Sequence, residues 1–198
     1  MMWDWLDEIA IFRASIPEWK PFLFSREIFW PLTFDRKNPL HGPIIPRLSA
    51  GRLLLAKRIL QILSKDDFEI KTASENEISQ LSDLIDTWQA NWEKKINLEI
   101  PVRTRQWHQL MSDMRTSEGI SNSVYKNQIY IRVILDLLIE NANTPDDIIE
   151  DQQLAVLDRI LRMLTKPSGF VWNVNLSGGF PEDQYWYLYR IPAGSNKR

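Results

Sequence analysis

The chain has 198 residues, with 24 Lys+Arg against 26 Asp+Glu and no cysteine. That length supports one domain or two small ones, and the missing cysteine excludes disulfides, thiolate metal sites and a cysteine nucleophile. A formal net charge of −2 argues against a strongly polyanion-binding protein, no apolar run is long enough to span a bilayer, and residues 1–8 lack the basic and apolar regions of a secretory signal, so a cytoplasmic protein is expected.

The 22 aromatics are unevenly placed: nine lie within residues 1–34 and seven within 170–189. An N-terminal helix leads into residues 15–46, which hold six of the eleven prolines (Pro17, Pro21, Pro31, Pro39, Pro43, Pro46) among Trp19, Phe22, Phe24, Phe29, Trp30 and Phe34. Proline excludes a long helix and a central strand there, yet the stretch is too apolar to be disordered. The expectation is an irregular arm with one short helix near residues 25–30.

Ser49 can cap a helix over 50–64, whose Leu53, Leu54, Leu55, Ile59, Leu60, Ile62 and Leu63 cover more than half its circumference. It should be the most buried helix. Ile78, Leu81, Ile85, Trp88 and Trp92 follow at spacings that place them on one stripe, with Ser74 and Glu77 in capping-box spacing before it. Pro101 is expected to end that pattern, and a new helix over 102–115 would bury Trp107, Leu110, Met111 and Met114. A helix over 123–141 should turn Ile131, Ile134, Leu135 and Leu138 inward. Thr144, Pro145, Asp146 and Asp147 then read as a helix start, followed by Leu154, Leu157, Leu161 and Leu164 and stopped by Pro167 and Gly169.

Near the C-terminus, Phe170, Trp172, Val174 and Leu176 alternate with Val171, Asn173 and Asn175, and beyond the turn at Ser177, Gly178 and Gly179, Tyr185, Tyr187, Tyr189 and Ile191 alternate with Trp186, Leu188 and Arg190. Period two in both runs predicts a β-hairpin. The fold expected is mainly α: a four- to five-helix bundle with an irregular Pro/aromatic-rich N-terminal arm and a small C-terminal β-hairpin. It is read as a single domain over residues 1–198, divided into 1–46, 47–166 and 167–198.

The net charge conceals blocks. Residues 13–58 carry nine bases and three acids, 64–99 four and nine, 102–132 five and two, and 136–158 seven acids and no base. Such blocks can complement one another within a bundle, or present charged faces to a partner or a like subunit.

Chemistry is sparsely marked. The histidines, His41 and His108, share no metal-ligand spacing. Asp146, Asp147, Glu150 and Asp151 suit a helix start and its solvent face, and Asp83 and Asp86 suit a solvated face. No Gly-x-Ser-x-Gly elbow, Walker loop or Gly-x-Gly-x-x-Gly is present. Ser49, Ala50, Gly51 and Arg52 could hold an anion at a helix N-terminus. No catalytic residue, metal ligand or cofactor is assigned.

The function expected is a non-catalytic protein-interaction or scaffold protein, a subunit of a larger assembly or a homo-oligomer. It would bind another protein or itself through the aromatic ends: Trp19, Phe22, Phe24, Phe29, Trp30, Trp172 and Trp186. One alternative is a nucleic-acid-contacting subunit using Arg103, Arg105, Arg115, Lys126 and Arg132, although Trp107 fits the core better than a stacking platform. Others are a flat platform of Trp172, Tyr185, Trp186 and Tyr187 for a sugar or another planar ligand, and an enzyme whose site is assembled from dispersed carboxylates.

Overall fold

Helix propensity and apolar spacing carry most of the chain into helices. A computed structural model describes residues 4–32, 47–64, 68–116, 119–142 and 148–194, with backbone alone at 68–73 and 148–152. The chain is mainly helical, with a small antiparallel strand pair near the C-terminus. It divides into two compact units, Asp4–Glu99 and the chain from Ile100 onward.

In the first unit, α1 (Trp5–Ser15) is capped by Asp4, whose side chain accepts from the Leu6 amide. Its Ile9, Ile11 and Phe12 are buried. A 3₁₀ turn over Ile16–Glu18 leads to α2 (Trp19–Phe24), which buries Trp19, Phe22 and Leu23. The short helix therefore lies ahead of the expected 25–30, where the chain bends and then enters β1 (Trp30–Pro31). Pro21 sits in the first turn of α2, where a missing N–H costs nothing. β1 pairs with β2 (Arg47–Leu48). The prolines at 39, 43 and 46, Phe34 and His41 lie outside the described residues.

α3 (Ala50–Leu63) is buried around most of its circumference, as its leucine content requires. It packs against α1 and against α4 (Phe68–Thr87). α4 begins upstream of the expected cap, so Ser74 is a buried interior residue and not an N-cap. Only a short turn at Trp88 separates α4 from α5 (Gln89–Met114). Against expectation α5 continues through Pro101. Proline there removes one helical hydrogen bond, a cost of roughly 3 kcal/mol. Burial of Trp92, Ile96, Ile100, Trp107, Leu110, Met111 and Met114 along the same helix outweighs it.

In the second unit, Gly119 turns the chain after α5 with φ of +61°, a conformation that only glycine adopts without strain. Ser121 caps α6 (Asn122–Gln128) by accepting from the Val124 amide. A turn at Ile129 divides the expected single helix into α6 and α7 (Tyr130–Glu140). The inward residues Ile131, Ile134, Leu135 and Leu138 are buried as the spacing predicts. α8 (Ile148–Leu164) buries Leu154, Leu157 and Leu161. Its expected start at 144–147 lies outside the described residues.

The strand pair lies at different residues from those predicted. β3 (Thr165–Pro167) pairs with β4 (Arg190–Pro192), with Lys166 opposite Ile191. Residues 170–176 form no strand, and Val174–Gly179 and Trp186–Tyr189 are 3₁₀ turns. The alternating tyrosines instead spend their hydroxyls on separate acceptors. Tyr185 donates to Glu140 at 3.1 Å, Tyr187 to Asp136 at 2.5 Å and Tyr189 to the Phe180 carbonyl at 3.0 Å. Their rings join Phe170, Trp172 and Phe180 in a cluster of edge-on and tilted contacts. Burial of aromatic area replaces ladder hydrogen bonds as the organising term here.

Candidate interaction groove

α5 and α8 border an open cleft of about 680 Å³ in the second unit. Thr104, Arg105 and His108 form one wall, at positions that share a face of α5. Val156, Leu157 and Ile160 form the other, with Gln153 at one end. Two apolar stripes on α8 account for this. Leu154, Leu157 and Leu161 point into the core, while Val156, Ile160 and Met163 recur at spacings of four and three on a neighbouring face. That second stripe faces solvent: Val156 is 48% exposed and Met163 77%. Arg159, also exposed, flanks it. Neither Arg105 nor Arg159 has a carboxylate partner among the described residues.

The polar chemistry of the second unit is concentrated in its interior. Arg132 on α7 makes a two-point contact with Asp158 on α8, at 3.1 and 3.0 Å, and also binds Asp136 one turn along α7. Tyr187 donates to the second oxygen of Asp136, and Tyr125 donates to the Tyr187 carbonyl at 2.7 Å. Burial opposes the charge of Arg132, but Asp136 and Asp158 outweigh it and hold the guanidinium protonated. Burial pushes the Asp136 carboxyl up despite Arg132 and Tyr187. It also holds the Tyr187 phenol protonated, with Asp136 acting in the same direction. Arg190 donates to Thr165 Oγ1 and to the carbonyls of Thr165 and Arg162, and so ties β4 to β3 and the end of α8. This network joins α6, α7, α8 and the C-terminal segment.

The first unit uses its charges in a similar way. Glu99 accepts from Ser49 Oγ at 2.8 Å and from the Gly51 amide at 2.9 Å. The anion at this helix N-terminus is thus a carboxylate of the same chain. Arg52 holds Glu8 through two nitrogens, at 2.9 and 2.6 Å. Lys95 donates to the Ser25 and Glu27 carbonyls and lies 4.3 Å from the Phe22 ring centre.

The aromatic candidates separate by environment. Trp19 and Phe22 are buried in their own unit, and Trp19 donates to Ser15 Oγ at 2.8 Å. Phe29 is half-buried, as is Trp30, which donates to Glu18 at 3.2 Å. Phe24 is 52% exposed and meets the edge of Trp88, over which Lys20 sits at 5.4 Å. Trp172 is half-buried and donates to the Lys126 carbonyl. Trp186 has the Arg162 and Arg190 guanidiniums 3.6 and 5.9 Å from its ring centre. Trp172, Tyr185, Trp186 and Tyr187 do not make a flat platform. Tyr185 and Tyr187 are fully buried, and the Tyr187 ring stands at 76° and 77° to those of Tyr185 and Trp186.

Of the cationic candidates, Arg103 and Arg132 are buried, while Arg105, Arg115 and Lys126 are exposed. Arg105 alone of the five lines the groove. Trp107 is buried, as its stripe predicts, and Asp83 and Asp86 face solvent. Among the described residues no cluster of three or more His, Asp or Glu is arranged to hold a metal ion, and no helix is long and apolar enough to cross a membrane. The acidic cluster at 146–151 falls outside the described side chains. The groove residues Val156 and Ile160, and Met163 beyond them on the same stripe, were not singled out from the sequence. Their signal is the second apolar stripe beside the leucines of α8. The chain matches no known protein family, no characterised protein and no solved structure.

Proposed function

We propose that this protein is a non-catalytic interaction subunit that acts in the cytoplasm and binds another protein through the α5–α8 groove. One observation carries this reading: the stripe of Val156, Ile160 and Met163, exposed at its two ends and half-buried at Ile160, whose first two members line the groove. Leaving large side chains in water forgoes about 1.5–3 kcal/mol each relative to full burial. Scattered exposed apolar residues are ordinary, but aligned ones beside an open cleft mark a binding surface. The interior placement of the Arg132 and Glu99 networks supports it, because those charges hold the fold and are not displayed to a partner.

Replacing Met163 with a photo-crosslinking residue in the native host tests the reading. It should yield one discrete adduct, lost when Val156→Asp is added, while the same probe at exposed Glu75 gives none. No adduct at 163, or the same adducts from both positions, would refute the assignment.

A further inference from the structure

We infer that the groove's occupant is an amphipathic helix with acidic flanks, supplied by the partner protein; this deepens the interaction reading and rests on it. Three observations carry it. The first is enclosure. A small molecule is retained by a site that buries most of its surface, yet this cleft is open and its wall is 48% exposed at Val156, with Met163 beyond the cleft on the same stripe 77% exposed. An occupant must bring an apolar face large enough to cover that wall.

The second is spacing. Val156 and Met163 stand seven residue steps apart on α8, roughly 10 Å at 1.5 Å per residue, with Ile160 between them. An apposed helix presents its own anchors at i, i+3 or i+4, and i+7 over that same length. The third is charge. Arg105 on α5 and Arg159 on α8 flank the stripe, and neither has a carboxylate partner among the described residues. Two cations beside an apolar strip favour carboxylates on the incoming helix and disfavour ammonium groups there.

The test uses the full chain and two fluorescein-labelled peptides of about 18 residues, long enough for a marginal helix. Both carry the same leucine stripe, one flanked by glutamates and the other by lysines. Anisotropy should show the acidic peptide binding at least about tenfold more tightly, with the advantage shrinking as salt rises. Arg105→Glu with Arg159→Glu should invert the preference. Val156→Asp with Met163→Asp should abolish binding of both peptides, with the circular dichroism of each variant unchanged because these side chains are exposed.

Equal binding of the two peptides, or binding that survives the groove variants, would overturn the inference. So would displacement of the acidic peptide by a single-stranded oligonucleotide, which would assign Arg105 and Arg159 to a phosphate backbone. If the charge preference fails while the Met163 adduct still forms in cells, the partner class is wrong and the interaction reading stands. If both fail, both fall.

Discussion

Asp136 lies where two opposing forces act on one carboxyl. Burial strips its water, while Arg132 and the Tyr187 hydroxyl favour its charge, and burial prevails. A carboxyl whose folded-state pKa stands above its unfolded value contributes stability below the ordinary carboxylate range, near 3.9. That contribution is lost as pH rises through the folded-state value. The Asn variant keeps the volume and cannot titrate. Urea denaturation at steps from about pH 4 to pH 7 should therefore show the wild type losing stability relative to Asp136→Asn as pH rises. The opposite slope would mean that Arg132 and Tyr187 dominate and hold the carboxylate ionised.

At the scale of elements, Pro101 is the position where local chemistry and tertiary packing disagree. Proline in a helix interior costs roughly 3 kcal/mol relative to alanine, through the lost N–H and the clash of its ring. Since α5 is continuous across it, Pro101→Ala should stabilise the chain by about 1–3 kcal/mol in urea denaturation. No change, or a loss, would mean that the ring itself fills space alanine cannot. The same contest explains what was legible in the sequence. Periodicity located α3, the inward face of α7 and the leucine face of α8 because burial and spacing agree there. It misplaced the start of α4 because Ser74 and Glu77 resemble a cap in isolation, while in the fold Ser74 is buried and Glu77 binds Arg13 at 2.8 Å. It read Tyr185, Tyr187 and Tyr189 as a strand because aromatic alternation does not reveal where hydroxyls will find acceptors. Those acceptors, Asp136, Glu140 and the Phe180 carbonyl, are distant in sequence or supplied by backbone. The groove was legible only in part: Arg105 was a candidate for another reason, and Val156, Ile160 and Met163 became visible once the leucine stripe was known to be buried.

For the whole molecule, the division at Glu99 and Ile100 carries a consequence for cooperativity. Glu99 serves the first unit, where it accepts from Ser49 Oγ and the Gly51 amide at the start of α3. Tyr187 serves the second, donating to Asp136 and accepting from Tyr125. Removing a charged partner from a buried hydrogen-bonded group costs about 1.5–3 kcal/mol, and a cavity at a buried aromatic costs about 3–5 kcal/mol. Openings of separate compact units need not cross from one to the other. Amide hydrogen exchange should therefore quicken mainly in α3 for Glu99→Ala, and mainly in α7 and the β3–β4 pair for Tyr187→Ala. A uniform acceleration through both sets of amides in either variant would mean that α5, which runs through the division, binds them into one cooperative whole. The comparison also bears on the groove. Its residues on α5 and α8 lie beyond Ile100 in the second unit, so Glu99→Ala should leave the amides of Thr104, Arg105 and His108 and of residues 156–160 protected.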